Sequence, residues 1–322
     1  MVTACSFRRI SCKVSKILNH RFNILLFDGF SNHCLANMVE PLRAANTLSR
    51  QSLYEWRFCS VDGDPVHSSS GLAVTPDAAL TDQRGDVLVV MPSYGFLQLG
   101  TPPTLRALLA AAKRHAQVAG LDTGSWLMAQ AGLLDGHRAT IHWDELSRFE
   151  EGFPAVDVVQ ERYVVDGRRL TCSGAMAAFD LALALIRKDH GPLLSMEVAH
   201  LFMSRGRSDH YALPMQTEDT LVNRALAIMQ ANLETPLSIT QVARKAGCTQ
   251  KRLEMRVQAD LKTTPQALYR RLRLNLARRL TEETEQSIAE IASRSGYENA
   301  SAMTRAFKAE FGQTPSAFRN RV

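Results

Sequence analysis

The chain has 322 residues, of which 45% are hydrophobic, so it can bury a sizeable core, and its length predicts two domains. The formal net charge of +6 lies wholly in the C-terminal third, where 17 Lys and Arg face 11 Asp and Glu from residue 217 onward. The six cysteines lack CxxC spacing, which excludes a zinc-finger pattern and a disulfide framework. No apolar run is long enough for a signal peptide or a membrane span, so we expect a cytoplasmic protein that does not contact a membrane.

Short apolar runs alternate with amphipathic segments over residues 22–203. This alternation predicts an α/β domain whose mostly parallel sheet is covered by helices on both faces. The predicted strands are residues 22–27, 56–61, 86–91, 118–121 and a pair within 163–172, and the predicted helices are residues 35–48, 105–115, 125–134, 175–187 and 192–203. Residues 1–21 are interpreted as a basic tail. Residues 204–216 are polar and interrupted by Gly and Pro, which is typical of a linker.

An internal repeat occupies the remaining residues, 217–322. Residues 237–268 and 287–318 share one plan, Ile-x-x-(Val/Ile)-Ala, three residues, Gly, a helix and Thr-Pro. Each copy predicts a helix, a turn and a second helix, with Gly247 and Gly296 where the turn needs backbone freedom. A helix over 265–280 joins the copies, so two recognition helices would meet major-groove segments about one turn apart. The exposed arginines of this joining helix could touch phosphate or only solvate its outer face; they are Arg270, Arg271, Arg273, Arg278 and Arg279.

The repeat, the joining helix and the pattern F-x-x-x-F-G-x-(T/S)-P-x-x-(F/Y)-R at residues 307–319 together resemble the AraC family of transcription regulators. The resemblance implies double-stranded DNA as partner. The implied base contacts are Gln250, Lys251, Glu254 and Met255 in the first unit and Asn299, Ala300, Ser301, Thr304 and Arg305 in the second, with Lys308 on the same basic edge. Arg305 could instead pack on phosphate or on Glu298. Where family members often carry Arg-Leu-Phe, this chain has Met255, Arg256 and Val257, which would put an arginine at a usually apolar position.

A strand-turn-helix pattern marks the first domain, where residues 118–121 run directly into Asp122-Thr123-Gly124-Ser125. Such an elbow can hold one side chain at the carboxyl edge of a parallel sheet. With the motifs EPLRAAN (40–46), AGLLDG (131–136) and IHW (141–143), it resembles the flavodoxin-like DJ-1/PfpI, or class I glutamine amidotransferase-like, domain fused to AraC-type units in GlxA-family regulators. The enzymes of that superfamily place a cysteine at the elbow. Here Asp122 stands there, and a carboxylate cannot perform thiolate chemistry. Cys172 is interpreted as a buried structural thiol.

We therefore predict a binding pocket in place of an active site, without a cofactor. Its candidate residues are Glu40, Asp122, Trp126, His142 and Trp143. Carboxylate and indole groups favour a cation, so the predicted effector is a cationic nitrogen metabolite such as arginine, glycine betaine or carnitine. Alternatively, either tryptophan is plain core and Glu40 caps a helix.

The predicted function is a ligand-responsive, sequence-specific transcription regulator that activates catabolic genes for such a metabolite. The resemblance implies a homodimer and allows contact with RNA polymerase. The alternative is a hydrolase or deglycase of the DJ-1/PfpI type that carries a DNA-binding domain, and Asp122 at the elbow separates the two.

Overall fold

A computed structural model describes residues 19–203, 217 and 219–319, so the predicted linker and most of the predicted basic tail lie outside the described residues. The first strand already begins at His20, within the range predicted as tail. The strands are β1 (His20–Leu26), β2 (Tyr54–Ser60), β3 (Val66–His67), β4 (Ala73–Val74), β5 (Ala78–Ala79), β6 (Gly85–Met91), β7 (His115–Leu121), β8 (Arg138–Ala139), β9 (Asp157–Val158), β10 (Tyr163–Asp166) and β11 (Arg169–Cys172). The helices of the same part of the chain are α1 (Asn32–Ser49), α2 (Pro102–Ala112), α3 (Gly124–Gln130), α4 (Leu146–Gly152), α5 (Ala175–His190) and α6 (Pro192–Met203).

One seven-stranded sheet has the order β10-β11-β7-β6-β1-β2-β5. All neighbouring strands run parallel except β10 and β11, which are antiparallel, so the predicted mostly parallel sheet is confirmed. Because β6, β7 and β11 are adjacent and parallel, their carboxyl ends meet at one edge of the sheet. Ligands of open parallel sheets bind at this edge.

Helices cover both faces of the sheet, as predicted. Alternate strand residues such as Ile24 and Leu25 point to opposite faces, and each belongs to a separate core cluster. The Ile24 cluster packs α1, α5 and α6 against the sheet, and the Leu25 cluster packs α2, α3 and α4. The helix predicted over residues 105–115 is shifted toward the N-terminus. Thr101 caps α2 and Pro102 starts it. The helix ends at Ala112, and His115 begins β7.

The C-terminal part is helical, with α7 (Thr220–Gln230), α8 (Ile239–Lys245), α9 (Gln250–Leu261), α10 (Pro265–Glu283), α11 (Ile288–Arg294), α12 (Ala300–Phe311) and α13 (Pro315–Arg319). The pairs α8–α9 and α11–α12 form the two helix-turn-helix units. Each unit has its own core, and α10 supplies Leu268 and Leu272 to the first and Ala277 and Leu280 to the second. The joining helix is therefore built into the cores of both units. Among the described helices, none is both long and apolar enough to cross a lipid bilayer.

Candidate DNA interface and ligand site

The two helix-turn-helix units begin in the same way. Ser238 and Ser287 each accept a hydrogen bond from the backbone of the third helical residue, and Gln241 and Glu290 return the bond as capping boxes. Gly247 and Gly296 both have positive φ, 79° and 73°, where the chain turns into the second helix. The repeated sequence thus produces a repeated backbone.

The outward face of α12 is open. Ser301, Arg305 and Lys308 are exposed at helical spacing, while Met303 and Phe307 are buried in the core of the unit. Within the described residues, the side chains of Arg305 and Lys308 have no hydrogen-bond or ion-pair partner, and Glu298 does not pair with Arg305. Their side chains can therefore reach a ligand without breaking an internal contact.

Three other residues predicted to contact bases in the second unit have structural roles as well. The Oδ1 atom of Asn299 accepts a hydrogen bond from the backbone N–H of Ala302 at 2.8 Å, so Asn299 caps α12. Ala300 is half-buried and packs against the core of the unit, and Thr304 is half-buried too. The Nδ2 group of Asn299 is not used in this cap and stays available for a base.

On α9, two predicted contacts are linked to each other. Gln250 donates from Nε2 to Glu254 at 2.8 Å, and its Oε1 atom accepts from the hydroxyl of Thr240 at 2.6 Å. These bonds hold the amide in one orientation, which reduces the entropy lost on contacting a base. Lys251 and Met255 are exposed, Met255 at 57%.

The prediction that Arg256 occupies an apolar position is wrong. The buried apolar residues of α9 are Leu253, Val257 and Leu261. Arg256 lies on the surface and forms an ion pair with Asp219, the N-cap of α7. Although burial opposes the charged form, the Arg256 hydrogen bond and two backbone amides lower the pKa of Asp219. The arginine therefore ties α9 to α7 and does not interrupt the core.

Three arginines of α10 face the protein and not the solvent. Arg273 donates to the carbonyls of Ser295 and Gly296 at 2.8 and 2.6 Å and stacks on Tyr297, closing the end of α11. Arg271 is paired with Glu197, and Arg278 is half-buried with its guanidinium 5.4 Å from the Phe311 ring centroid. Of the five predicted phosphate-contacting arginines, only Arg270 and Arg279 are exposed.

The elbow lies at the carboxyl edge of the sheet. Asp122 follows β7 with φ 60°, a left-handed conformation that is uncommon for a residue with a side chain. Gly124 makes the turn possible, because a Cβ there would lie 2.1 Å from the carbonyl oxygen of Val90. Strained backbone of this kind concentrates at functional sites.

The Asp122 carboxylate is 7% exposed and accepts a hydrogen bond from Ser93 Oγ at 3.0 Å. Burial raises its pKa, while the Ser93 bond and the nearby His142 oppose the rise. The backbone N–H of His142 donates to the Asp122 carbonyl at 3.1 Å. The segment after β6 and the IHW motif thus both contact Asp122, which follows β7. Among the described residues its carboxylate has no Lys or Arg partner.

Ser93 and His142, which both contact Asp122, are each followed in the sequence by an exposed aromatic residue. Tyr94 comes directly after Ser93, Trp143 comes directly after His142, and each ring is 69% exposed. Ser93 and Tyr94 were not among the residues predicted from the sequence. Their position just after β6, the strand beside β7, was the signal that could have found them.

Two predicted pocket residues make other contacts. Glu40 is a surface residue of α1 whose carboxylate accepts from Arg43 at 2.7 Å. Trp126 is buried in an aromatic cluster, with ring centroids 5.4 Å from Phe96 and 4.9 Å from Phe153. The ring of Trp126 is therefore core, as the alternative interpretation held.

Cys172 and Cys34 are both completely buried close to Asp122. The hydrogen bond with Cys172, together with burial, raises the pKa of the Cys34 thiol. Although burial opposes the thiolate, the hydrogen bond with Cys34 lowers the pKa of the Cys172 thiol, and the structural role of Cys172 stays a prediction. One cluster in the described residues has metal-ligand chemistry: His20, Asp189 and His190 keep their ligand atoms within 4.8 Å of one another. In this cluster Asp189 Oδ2 accepts a hydrogen bond from the Tyr54 hydroxyl at 3.3 Å.

Family models match both parts of the chain. The DJ-1/PfpI family model matches residues 20–188, and a helix-turn-helix domain model matches residues 224–321. Among solved structures, a ThiJ/PfpI family protein from Pseudomonas syringae aligns with a TM-score of 0.51 and 21% identity over 76% of this chain and 96% of that one. At this identity the likeness shows the fold alone.

Two curated relatives align over nearly the whole chain. The HTH-type transcriptional regulator CdhR of Pseudomonas aeruginosa is 36% identical over 307 residues, which cover 93% of this chain and 91% of that protein. The HTH-type transcriptional regulator GlxA of Rhizobium meliloti is 31% identical over 317 residues, covering 94% of this chain and 96% of that protein. Both alignments include the α/β part and the helical part together.

Proposed function

The chain belongs to the GlxA-type transcriptional regulators, which join a DJ-1/PfpI domain to an AraC-type helix-turn-helix domain, and from this premise we propose that it is a ligand-responsive, sequence-specific regulator. In this proposal residues 22–203 bind an effector and dimerise, residues 204–216 connect, and residues 217–322 bind DNA. The observation that carries the effector site is the buried Asp122 carboxylate at the strained elbow.

A cation is the ligand class that this site favours. Asp122 would provide the charge, and the exposed rings of Tyr94 and Trp143, which follow Ser93 and His142 in the sequence, would provide aromatic faces. Attraction of a desolvated cation to an aromatic face contributes about 2 kcal/mol. The proposed effector is therefore a cationic nitrogen metabolite of the kind represented by glycine betaine, carnitine or arginine. The proposed site leaves out Glu40, which pairs with Arg43, and Trp126, whose ring packs against Phe153.

On DNA, α9 and α12 would enter two adjacent major-groove segments. The open face of Ser301, Arg305 and Lys308 supports base contact by α12. The hydrogen bond between Gln250 and Glu254 supports base contact by α9, because it already holds the Gln250 amide in one orientation. The proposal extends to a homodimer that activates catabolic genes for the effector and contacts RNA polymerase at their promoters.

Gel shifts on the gene's own upstream region, at about 0.15 M salt, test the proposal. We expect binding that random DNA of equal length does not compete away, and an affinity that changes when glycine betaine, carnitine or arginine is added. Asp122→Asn should keep the DNA binding and lose the response to the added compound. Hydrolase turnover by the full-length protein without specific DNA binding would contradict the proposal and favour the enzyme alternative.

A further inference from the structure

Helix α6 packs against three parts of the molecule at once. Leu194 and Val198 belong to the core of the α/β domain, whereas Met196 belongs to the core of the first helix-turn-helix unit. Glu197, on a further side of the helix, is buried against α10. A shift of α6 would therefore be felt in both domains, because close-packed cores transmit displacement.

Glu197 is held in a two-pronged ion pair. Arg271 donates from Nε and Nη2 to the two carboxylate oxygens at 2.6 and 2.7 Å, and Asn275 donates to the first of them at 2.9 Å. Paired parallel bonds of this kind restrict orientation as well as distance. The positively charged Arg278 also lies within electrostatic range of Glu197. The contact thus defines how α10 sits on α6.

The same arginine reaches the second recognition helix. Arg271 Nε lies 3.6 Å from Glu310 Oε1, near the end of α12. The end of α1 contacts that region too, since Arg50 donates to the carbonyl of Phe311 at 2.8 Å and stacks on Phe318 at 3.7 Å. These contacts hold the C-terminal end of α12, whereas Ser301 and Arg305 lie toward the other end.

We propose that Glu197 is a positioning residue for DNA recognition, which sets the orientation of α12 relative to α9 through Arg271. The α/β domain then controls the second DNA contact through α6 and leaves the first, whose core α6 already joins, in place. The inference rests on the proposed function, because it requires that both units contact DNA. Breaking the ion pair should therefore separate the two contacts.

The test is hydroxyl-radical footprinting of the full-length protein on the gene's own upstream region. The segment read by α12 is identified first, as the one whose protection Arg305→Ala weakens. With Glu197→Gln, protection of that segment should require about tenfold more protein, a size common for coupling between sites, while the other segment changes little. Arg271→Lys keeps the charge but loses the two-pronged geometry, so it should reproduce the effect.

Glu150→Gln is the matched control, since Glu150 is an exposed residue of α4 in the same domain. It should leave both segments unchanged. The double variant Glu197→Gln/Arg271→Lys should lose no more than the larger single effect, because both act through one contact. Equal weakening of both segments would mean that the ion pair only stabilises the fold, and unchanged footprints would overturn the inference. If the wild-type protein protects no specific segment, the proposed function fails and the inference fails with it.

Discussion

Asp122 combines three properties that rarely occur in one side chain. It is buried, it stands in a left-handed turn, and its carboxylate receives a hydrogen bond from Ser93 without a Lys or Arg partner among the described residues. A buried carboxylate of this kind is costly for the fold, and a bound cation would offset that cost. Its protonation should therefore control both stability and ligand binding.

Because burial raises the pKa of Asp122, the folded state holds this proton more tightly than the unfolded state. The resulting stability is fully present below the ordinary carboxyl pKa of about 3.9 and is lost as pH rises through the raised value. Binding of glycine betaine, whose quaternary ammonium keeps its charge, should show the opposite trend and strengthen as Asp122 ionises. Calorimetry over this pH range measures it.

Asp122→Asn is the control for that titration. It keeps the shape of the side chain and removes the titrating carboxyl group. A glycine betaine affinity that rises with pH to the same extent in both proteins would remove Asp122 from the ligand site.

Arg305 is the residue whose exposure best fits base recognition. Arg305→Ala should weaken binding to the native operator by about 1–3 kcal/mol more than binding to random DNA, as expected for a lost bidentate base contact. Arg305→Lys is the matched variant, because it keeps the charge and loses the planar fork. Competition gel shifts with both DNAs give the comparison. Full recovery of specific binding by lysine would identify a phosphate contact instead.

At the scale of elements, the two copies of the repeated unit differ in how tightly their turns are packed. The turn of the second unit is packed tightly against the first: a Cβ on Gly296 would lie 2.4 Å from the carbonyl oxygen of Leu233 and 2.5 Å from Pro236. At Gly247 the nearest such atom is on Arg224, 3.9 Å away. The second turn therefore forms part of the contact between the units.

This difference predicts unequal costs for the same substitution. Gly247→Ala should cost about 1–2 kcal/mol in unfolding free energy, because alanine is strained at positive φ. Gly296→Ala should cost more, since backbone atoms of the first unit must also move. Chemical denaturation of both variants provides the measurement, and equal losses would show that the contact at Gly296 adjusts freely.

At the scale of the whole molecule, α10 and the α/β domain together hold the two recognition helices. Two clefts flank this contact: one of about 330 Å³ lined by Arg187 and Asp260, and one of about 730 Å³ lined by Arg50 and Phe311. Each cleft lies beside the C-terminal end of one recognition helix. The domains therefore touch at a few defined contacts, which suits a regulated arrangement.

A rigid pair of units should tolerate little change in operator spacing. Inserting about five base pairs between the two protected segments rotates one of them by half a turn to the other side of the duplex. Binding should then weaken by about a hundredfold, because the second contact is no longer reached from the first. Gel shifts with inserted and native operators test this, and unchanged affinity would mean that the units move independently.

Local pattern alone determined the repeat, the elbow and the alternation of strands and helices. The spacing of apolar side chains and the placement of Gly, Pro and capping residues act over a few positions, so these signals can be recognised in the sequence. The same signals located Asp122 at the end of β7 and the exposed face around Arg305.

Tertiary structure alone decided which candidate residues meet. Glu197 and Arg271 are 74 positions apart, and Arg50 and Phe311 are 261 apart, so no periodicity connects them. Trp126 is core because Phe96 and Phe153 surround it, which depends on how α3 and α4 pack against the sheet. Burial and pairing are properties of the assembled chain, because the dielectric and the partners around a side chain exist only after distant segments come together.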